Sequence, residues 1–194
     1  MLKYANMSSL TYFGILRAPT SWAKVTRKLC EALVDKGVDL NIFERKGFLY
    51  DKNFKISRRL TSRITNKFRE DDIVFCFEHP SIYKYLRGSY KIGLLIYETS
   101  ALPKEWVKNI NEFLDLVIVP SSFCKEVFIK SGVDKEIRII PYGFDKAEFN
   151  FNIKPFDIPT NKRFRFLSII NPHKREGLVE LLIEYNDVEM GKYF

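Results

Sequence analysis

The sequence predicts an α/β protein built on a Rossmann-like, doubly wound parallel sheet, and two observations carry that expectation. Short apolar runs of strand length recur between residues 10 and 140, each bounded by polar or turn-forming residues. One-faced helical patterns separate them. Strands that alternate with helices pair in parallel, because parallel neighbours need a long crossover. Residues 115–145 hold the plainest such unit. Leu116-Val117-Ile118-Val119 is a buried strand stopped by Pro120. Ser121 or Ser122 caps a helix carrying Phe123, Val127 and Phe128, and Gly132 ends it. A second apolar strand over 137–140 runs into Pro141-Tyr142-Gly143.

The other elements follow in chain order. Residues 1–9 are polar and read as loose, 12–16 as a first strand, and 17–21 as a loop containing Pro19. Trp22, Val25, Leu29, Ala32 and Leu33 mark the inner face of a helix that ends before Gly37. A second strand covers 38–43, and 44–55 is mixed. From Ile56, the residues Leu60, Ile64 and Phe68 recur at i, i+4 spacing, which predicts a one-faced helix. Its other faces carry Lys55, Arg58, Arg59, Arg63, Lys67 and Arg69. They read first as the solvated side of a crossover helix and second as a patch for phosphate or anionic lipid headgroups. Residues 73–77 and 91–97 are the next strands. Pro103 opens a helix striped by Trp106, Val107, Ile110, Phe113 and Leu114, with Glu105 complementing its positive end.

Beyond Asp145 the character changes. Residues 146–163 hold Phe149, Phe151, Pro155, Phe156 and Pro159 without periodicity, as in an interdomain linker. A strand over 164–170, a polar turn over 171–177 and a helix over 178–185 read as the start of a second domain. The expected organisation is therefore a first domain over 1–145, a linker over 146–163, and the opening of another unit over 164–194.

Composition bounds the possibilities. With 194 residues, 46% of them hydrophobic and 15% aromatic, the chain has ample material for a core, which excludes general disorder. The formal charge of +8 suits phosphate-bearing ligands, anionic lipid surfaces or nucleic acid. The same lysine and glutamate richness also fits thermostable proteins. No nucleic-acid-binding motif accompanies the charge, so nucleic acid is not an expected partner. Cys30, Cys76 and Cys124 are odd in number and widely spaced, without a Cys-x-x-Cys pair, and read as core residues in a reducing compartment. No apolar span reaches 18 residues. A soluble, cytoplasmic protein is expected, with contact at the inner membrane surface as a further expectation.

In an open parallel sheet, ligands lie beyond the carboxyl ends of the strands. That rule selects Arg17 and Thr20 after the first strand, Glu78 and His79 after the 73–77 strand, and Glu98, Thr99 and Ser100 after the 91–97 strand. It also selects Ser121, and Tyr142 with Gly143, after the last two. Glu98 reads as a carboxylate able to hydrogen-bond a ligand, or as part of a capping network with Thr99 and Ser100. His79, alone before Pro80, reads as a structural turn residue. Gly143 reads as a glycine at positive φ or at a close backbone approach, or equally as a simple turn glycine.

Three segments together resemble the retaining, nucleotide-sugar-dependent glycosyltransferases of family four, which have the GT-B fold. They are Tyr97-Glu98-Thr99-Ser100 with Pro103 and Trp106, the stretch from Val119-Pro120-Ser121 to Tyr142-Gly143-Phe144-Asp145, and residues 165–170 leading to Lys174-Arg175-Glu176-Gly177. The resemblance implies an acceptor-side first domain and a donor-binding second one. It implies a nucleotide-diphosphate sugar as donor, a carbohydrate or lipid-linked acceptor, and neither cofactor nor metal. Glu98 stands where relatives keep a polar residue, often histidine, near the transferred sugar, and is the catalytic candidate. Arg17, Thr20, Thr99, Ser100, Ser121, Tyr142 and Gly143 become substrate-binding candidates.

Relatives grip the diphosphate with an arginine soon after the second domain's first strand and a lysine before the glycine. Asn171 and Glu176 occupy those places here, so Lys174 and Arg175 are the phosphate-binding candidates by a shift of register. The family's downstream pair of glutamates does not occur before residue 194. The expectation is a chain that lacks most of the donor pocket and does not turn over alone. Its apolar faces over 164–185 call for a cover, whether the first domain, a second copy in a homodimer, or a C-terminal domain on another chain. The alternative is a non-catalytic binding module of the same fold. A dinucleotide-dependent oxidoreductase is disfavoured, because residues 13–19 lack Gly-x-Gly-x-x-Gly.

Overall fold

Six parallel strands form the centre of the computed structural model, which describes residues 9–47, 49–161, 163, 165, 167–169 and 177–190. The chain divides into two compact units, Met1–Phe144 and Asp145–Phe194. In the first, β1 (Ser9–Gly14), β2 (Asp39–Glu44), β3 (Ile73–Cys76), β4 (Tyr90–Leu94), β5 (Leu116–Val119) and β6 (Glu136–Ile139) lie in the order β2-β1-β3-β4-β5-β6. The chain moves from β1 outward to β2, returns past β1 to β3, and then progresses the other way. This reversal between β1 and β3 is the topological switch point of the sheet. The α/β, doubly wound parallel architecture is the one the sequence predicts.

Two hydrophobic clusters cover the two faces. Helix α1 (Ser21–Asp35) and the single turn α2 (Arg58–Thr61) pack with Tyr12, Leu40, Ile42 and Phe77 on one face. Helices α3 (Lys104–Phe113) and α4 (Ser122–Lys130), with a 3₁₀ segment at Pro80–Tyr85, pack with Phe13, Val74, Val117 and Val119 on the other. Local chemistry sets the helix limits. Thr20 Oγ1 accepts the Ala23 N–H at 3.2 Å, and Ser121 Oγ accepts the Cys124 N–H at 3.2 Å. Gly37 and Gly132 close α1 and α4 at φ of 78° and 97°, values that other residues adopt only with strain. The helix at Pro103 starts one residue later than expected, with Pro103 at its N-cap.

Several expectations are corrected. The first strand spans Ser9–Gly14 rather than 12–16, because Ser9 and Leu10 already pair with Asp39 and Leu40, while Ile15 and Leu16 have left the ladder. The helix expected over 56–68 is one turn long. Beyond it the chain rounds the outer edge of β2. Ile64 forms a parallel bridge with Ile42, Ile42 donates to the Arg63 carbonyl at 2.9 Å, and the Thr65 N–H donates to the Ile42 carbonyl at 3.0 Å. Asn66 takes φ of 53°, and its Oδ1 accepts the Glu44 N–H at 2.9 Å. Leu60 and Ile64 thus join one core and Phe68 the other, so their common spacing does not mark one helical face. The edge-strand amides, left open by the sheet, outweigh the helical pattern. Of the basic residues there, Arg59 pairs with Asp35 and Arg69 with Asp39.

In the second unit, Asp145 opens a turn whose Oδ1 accepts the Ala147 N–H at 2.9 Å, and α5 (Leu178–Met190) runs five residues beyond the expected helix end. Of the strand expected over 164–170, Arg165 and residues 167–169 carry no strand pairing, which a single strand without a neighbour cannot have. The rest of that strand lies outside the described residues, as do residues 1–8. No described helix is long and apolar enough to cross a membrane.

Candidate functional site

The switch point leaves a crevice of about 350 Å³ at the carboxyl ends of β1 and β3. Ile15 and Thr20 come from the loop after β1, and Trp22 and Thr26 from the first turns of α1. Arg45 directly follows β2, and Phe77, Glu78 and His79 follow β3. Parallel registry makes this convergence possible. Gly14 aligns with Glu44, and Phe13 with Cys76, so three loops leave the sheet at nearly the same level.

An aromatic stack forms one wall. The Trp22 indole lies flat on Phe77, with ring centroids 4.5 Å apart and planes 2° from parallel. Phe77 is buried, while Trp22 remains 41% exposed. Trp22 was expected on the inner face of α1; the start of the helix instead places it over the crevice. Tyr142 meets Phe77 in a tilted contact, with ring centroids 6.4 Å apart, and burial pushes its phenol up to about 12.

Glu78 ties the loops together. Its carboxylate accepts from Arg45 Nη1 at 3.1 Å and from the Ile15 backbone N–H, while its own carbonyl accepts from the Tyr83 hydroxyl at 3.1 Å. Burial raises its pKa, with Arg45 opposing the shift. Glu44 forms the parallel pair with Arg17, and burial likewise raises its carboxyl. Its second oxygen, Oε1, is buried without a hydrogen-bond partner among the described residues. Arg27, from α1, donates to the Leu16 and Ala18 carbonyls and lies over the Phe54 ring, holding the first loop from below.

His79 serves the turn. Its Nδ1 accepts the Ser81 N–H at 3.2 Å and so caps the 3₁₀ segment, as the turn reading expects. A backbone amide only donates, so a neutral ring carries its proton on Nε2. The ring also meets the edge of Trp106 at 4.6 Å, and Trp106 meets Tyr97 at 4.8 Å, which links the β3 and β4 exits.

Among the sequence-predicted residues, Thr20 lines the crevice and also caps α1. Arg17 lies in the same loop, turned onto Glu44, and Tyr142 approaches through Phe77. Glu98, Thr99 and Ser100 are exposed beyond β4, outside the crevice walls. The capping network suggested for them does not form at α3. The Thr99 hydroxyl donates to the Ala101 carbonyl at 3.1 Å, and Pro103 holds the N-cap. Ser121 is spent on capping α4. Gly143 is not at positive φ, and a Cβ there would meet no atom of the first unit within 4 Å. Nothing in its surroundings or its φ requires a glycine there. Lys174 and Arg175 lie outside the described residues.

Glu78 and His79 were legible as residues following a strand at the carboxyl rim. Trp22, Phe77 and Arg45 were not, since their partners are distant in sequence. Compared with known proteins, the chain matches no protein-family model and no curated protein sequence. Chemically, the crevice offers a flat apolar surface, one guanidinium–carboxylate pair and an imidazole. That set can orient a small polar ligand with a ring and exchange a proton with it.

Proposed function

We propose that the first unit is the acceptor-side domain of a retaining glycosyltransferase that moves a sugar from a nucleotide diphosphate to a glycan, lipid or protein acceptor. One observation carries this reading. The segments around Glu98, Ser121 and Tyr142, which resemble the family, follow β4, β5 and β6 on the rim that also holds the crevice. In the reaction, the bond between sugar C1 and the diphosphate oxygen breaks. A C1–O bond to an acceptor hydroxyl forms on the same face, and the hydroxyl proton leaves with the diphosphate. The domain's contribution is orientation of the acceptor, with Glu98 as the polar contact to the transferred sugar. Side-chain cations, with Lys174 and Arg175 as candidates, and helix N-termini would balance the diphosphate charge. A reducing, cytoplasmic setting accords with three buried free cysteines.

Transfer of radiolabel from a panel of nucleotide-diphosphate sugars to glycan and lipid acceptors, with the chain supplied together with a donor-binding second domain, tests the reading. Label transfer that falls in Glu98→Ala more than in Lys125→Ala supports it, and equal rates for the two variants remove Glu98 from its role. A non-catalytic binding module is the second reading, favoured by the carboxylates that already occupy Arg17 and Arg45. Ligand binding with no transfer from any donor decides for it.

A further inference from the structure

We infer that the crevice between β1 and β3 holds the face of a neutral pyranose ring, stacked against Trp22, and is not a phosphate site. This deepens the transferase reading by naming what its crevice takes, and rests on that reading for the ring being an acceptor's.

Charge is the first ground. Arg45 faces Glu78 across 3.1 Å, and Arg17 is paired with Glu44, whose side chain is almost fully buried. The crevice walls therefore carry one guanidinium and one carboxylate, with no net charge when His79 is neutral. A phosphate group drawn to Arg45 would meet the Glu78 carboxylate beside it, and breaking that pair leaves a buried charge alone. Both arginines beside the crevice, Arg17 and Arg45, thus already face carboxylates.

Shape is the second ground. Trp22 is braced flat on Phe77, which is only 3% exposed, so the indole is held rigid while 41% of Trp22 stays open. Such a surface suits the C–H face of a sugar ring, whose weakly positive hydrogens meet the negative face of the indole. The ring's hydroxyls then need in-plane partners. Thr20 supplies a hydroxyl, Glu78 an acceptor, and Arg45 has N–H donors beyond the one spent on Glu78. A volume of about 350 Å³ suits a ring and its substituents, near the lower end of the roughly 300–1,000 Å³ typical of small-molecule sites.

Saturation-transfer NMR on the full chain tests this with methyl glycosides of glucose, galactose, mannose and N-acetylglucosamine, with uridine and inorganic phosphate as competitors. The expected result is saturation reaching the ring C–H protons of at least one glycoside. Trp22→Leu should weaken that binding about tenfold, whereas Trp22→Phe, which keeps a ring, should retain most of it. No glycoside signal, an undiminished signal in Trp22→Leu, or displacement by phosphate or uridine overturns the inference. Should Trp22→Leu not fold, the indole N–H resonances of the native chain decide. There are two tryptophans, assigned by Trp106→Phe, and a bound glycoside that leaves the Trp22 resonance unmoved overturns the site. Glycoside binding through Trp22 without label transfer from any donor, even when a donor-binding second domain is supplied, sinks the transferase reading and keeps the ring site. Label transfer without Trp22-dependent binding does the reverse.

Discussion

The carboxyl rim of the sheet has two halves of different construction. Around β1, β2 and β3, side chains reach across tens of residues. Arg17 pairs with Glu44, Arg45 with Glu78, and Glu78 also holds the Ile15 amide. Around β4 and β5, some polar residues serve their own loop, while the Cys124 thiol reaches the Tyr97 carbonyl at 3.5 Å. Thr99 bonds Ala101, and Ser121 bonds Cys124. The first half is stitched between strands and encloses a crevice, whereas the second presents exposed polar residues on short loops. A fixed wall suits recognition of a defined shape, because its side chains lose little freedom when a ligand arrives. The open half suits contact with a group that comes and goes.

The contrast sets an order of mutational effects. Glu78→Ala should cost the most, about 2–3 kcal/mol, because it strands Arg45 and the Ile15 amide together. Chemical denaturation measures this, and a loss no larger than that of a surface substitution would show that the stitching is not structural. Ser121→Ala should cost about 1 kcal/mol through loss of a single helix cap, with little change at the crevice. Unchanged chemical shifts for Trp22 in that variant would confirm that the two halves act separately.

A smaller effect concerns pH. Burial raises the Glu44 carboxyl above its unfolded value, so the folded chain keeps that proton to higher pH. The stability this contributes is fully present below the ordinary glutamate range near about 4.3 and is lost as pH rises through the raised value. Wild-type stability measured against Glu44→Gln should therefore fall from about pH 4 towards neutrality. A difference that stays flat, or that grows with pH, would mean the Arg17 pair outweighs burial. Thr99→Ala should have the smallest effect on folding, within about 0.5 kcal/mol, since its one bond is local and exposed.

Legibility followed the range of the interactions involved. The β5–α4–β6 segment was readable nearly to the residue, because Pro120, the Ser121 cap and Gly132 act on their immediate neighbours. The 56–69 segment was misread, because its i, i+4 spacing says nothing about the open edge of β2 that captures it. At the site, Thr20 and Glu78 could be placed by the rule that ligands gather at strand carboxyl ends. Trp22 could not, since a tryptophan in an apolar helical stripe ordinarily points into the core.

The sequence by itself determined the α/β class, the alternation of strands and helices, and which loops share the carboxyl rim. These follow from periodicity, caps and breakers that operate within a few residues. Only the tertiary structure decided that the chain reverses between β1 and β3, and that Arg45 meets Glu78 from 33 positions away. It also decided that Trp22 lies on Phe77 instead of in the core. Those pairings depend on strand order and register, which bring together side chains whose separation along the chain carries no local signal.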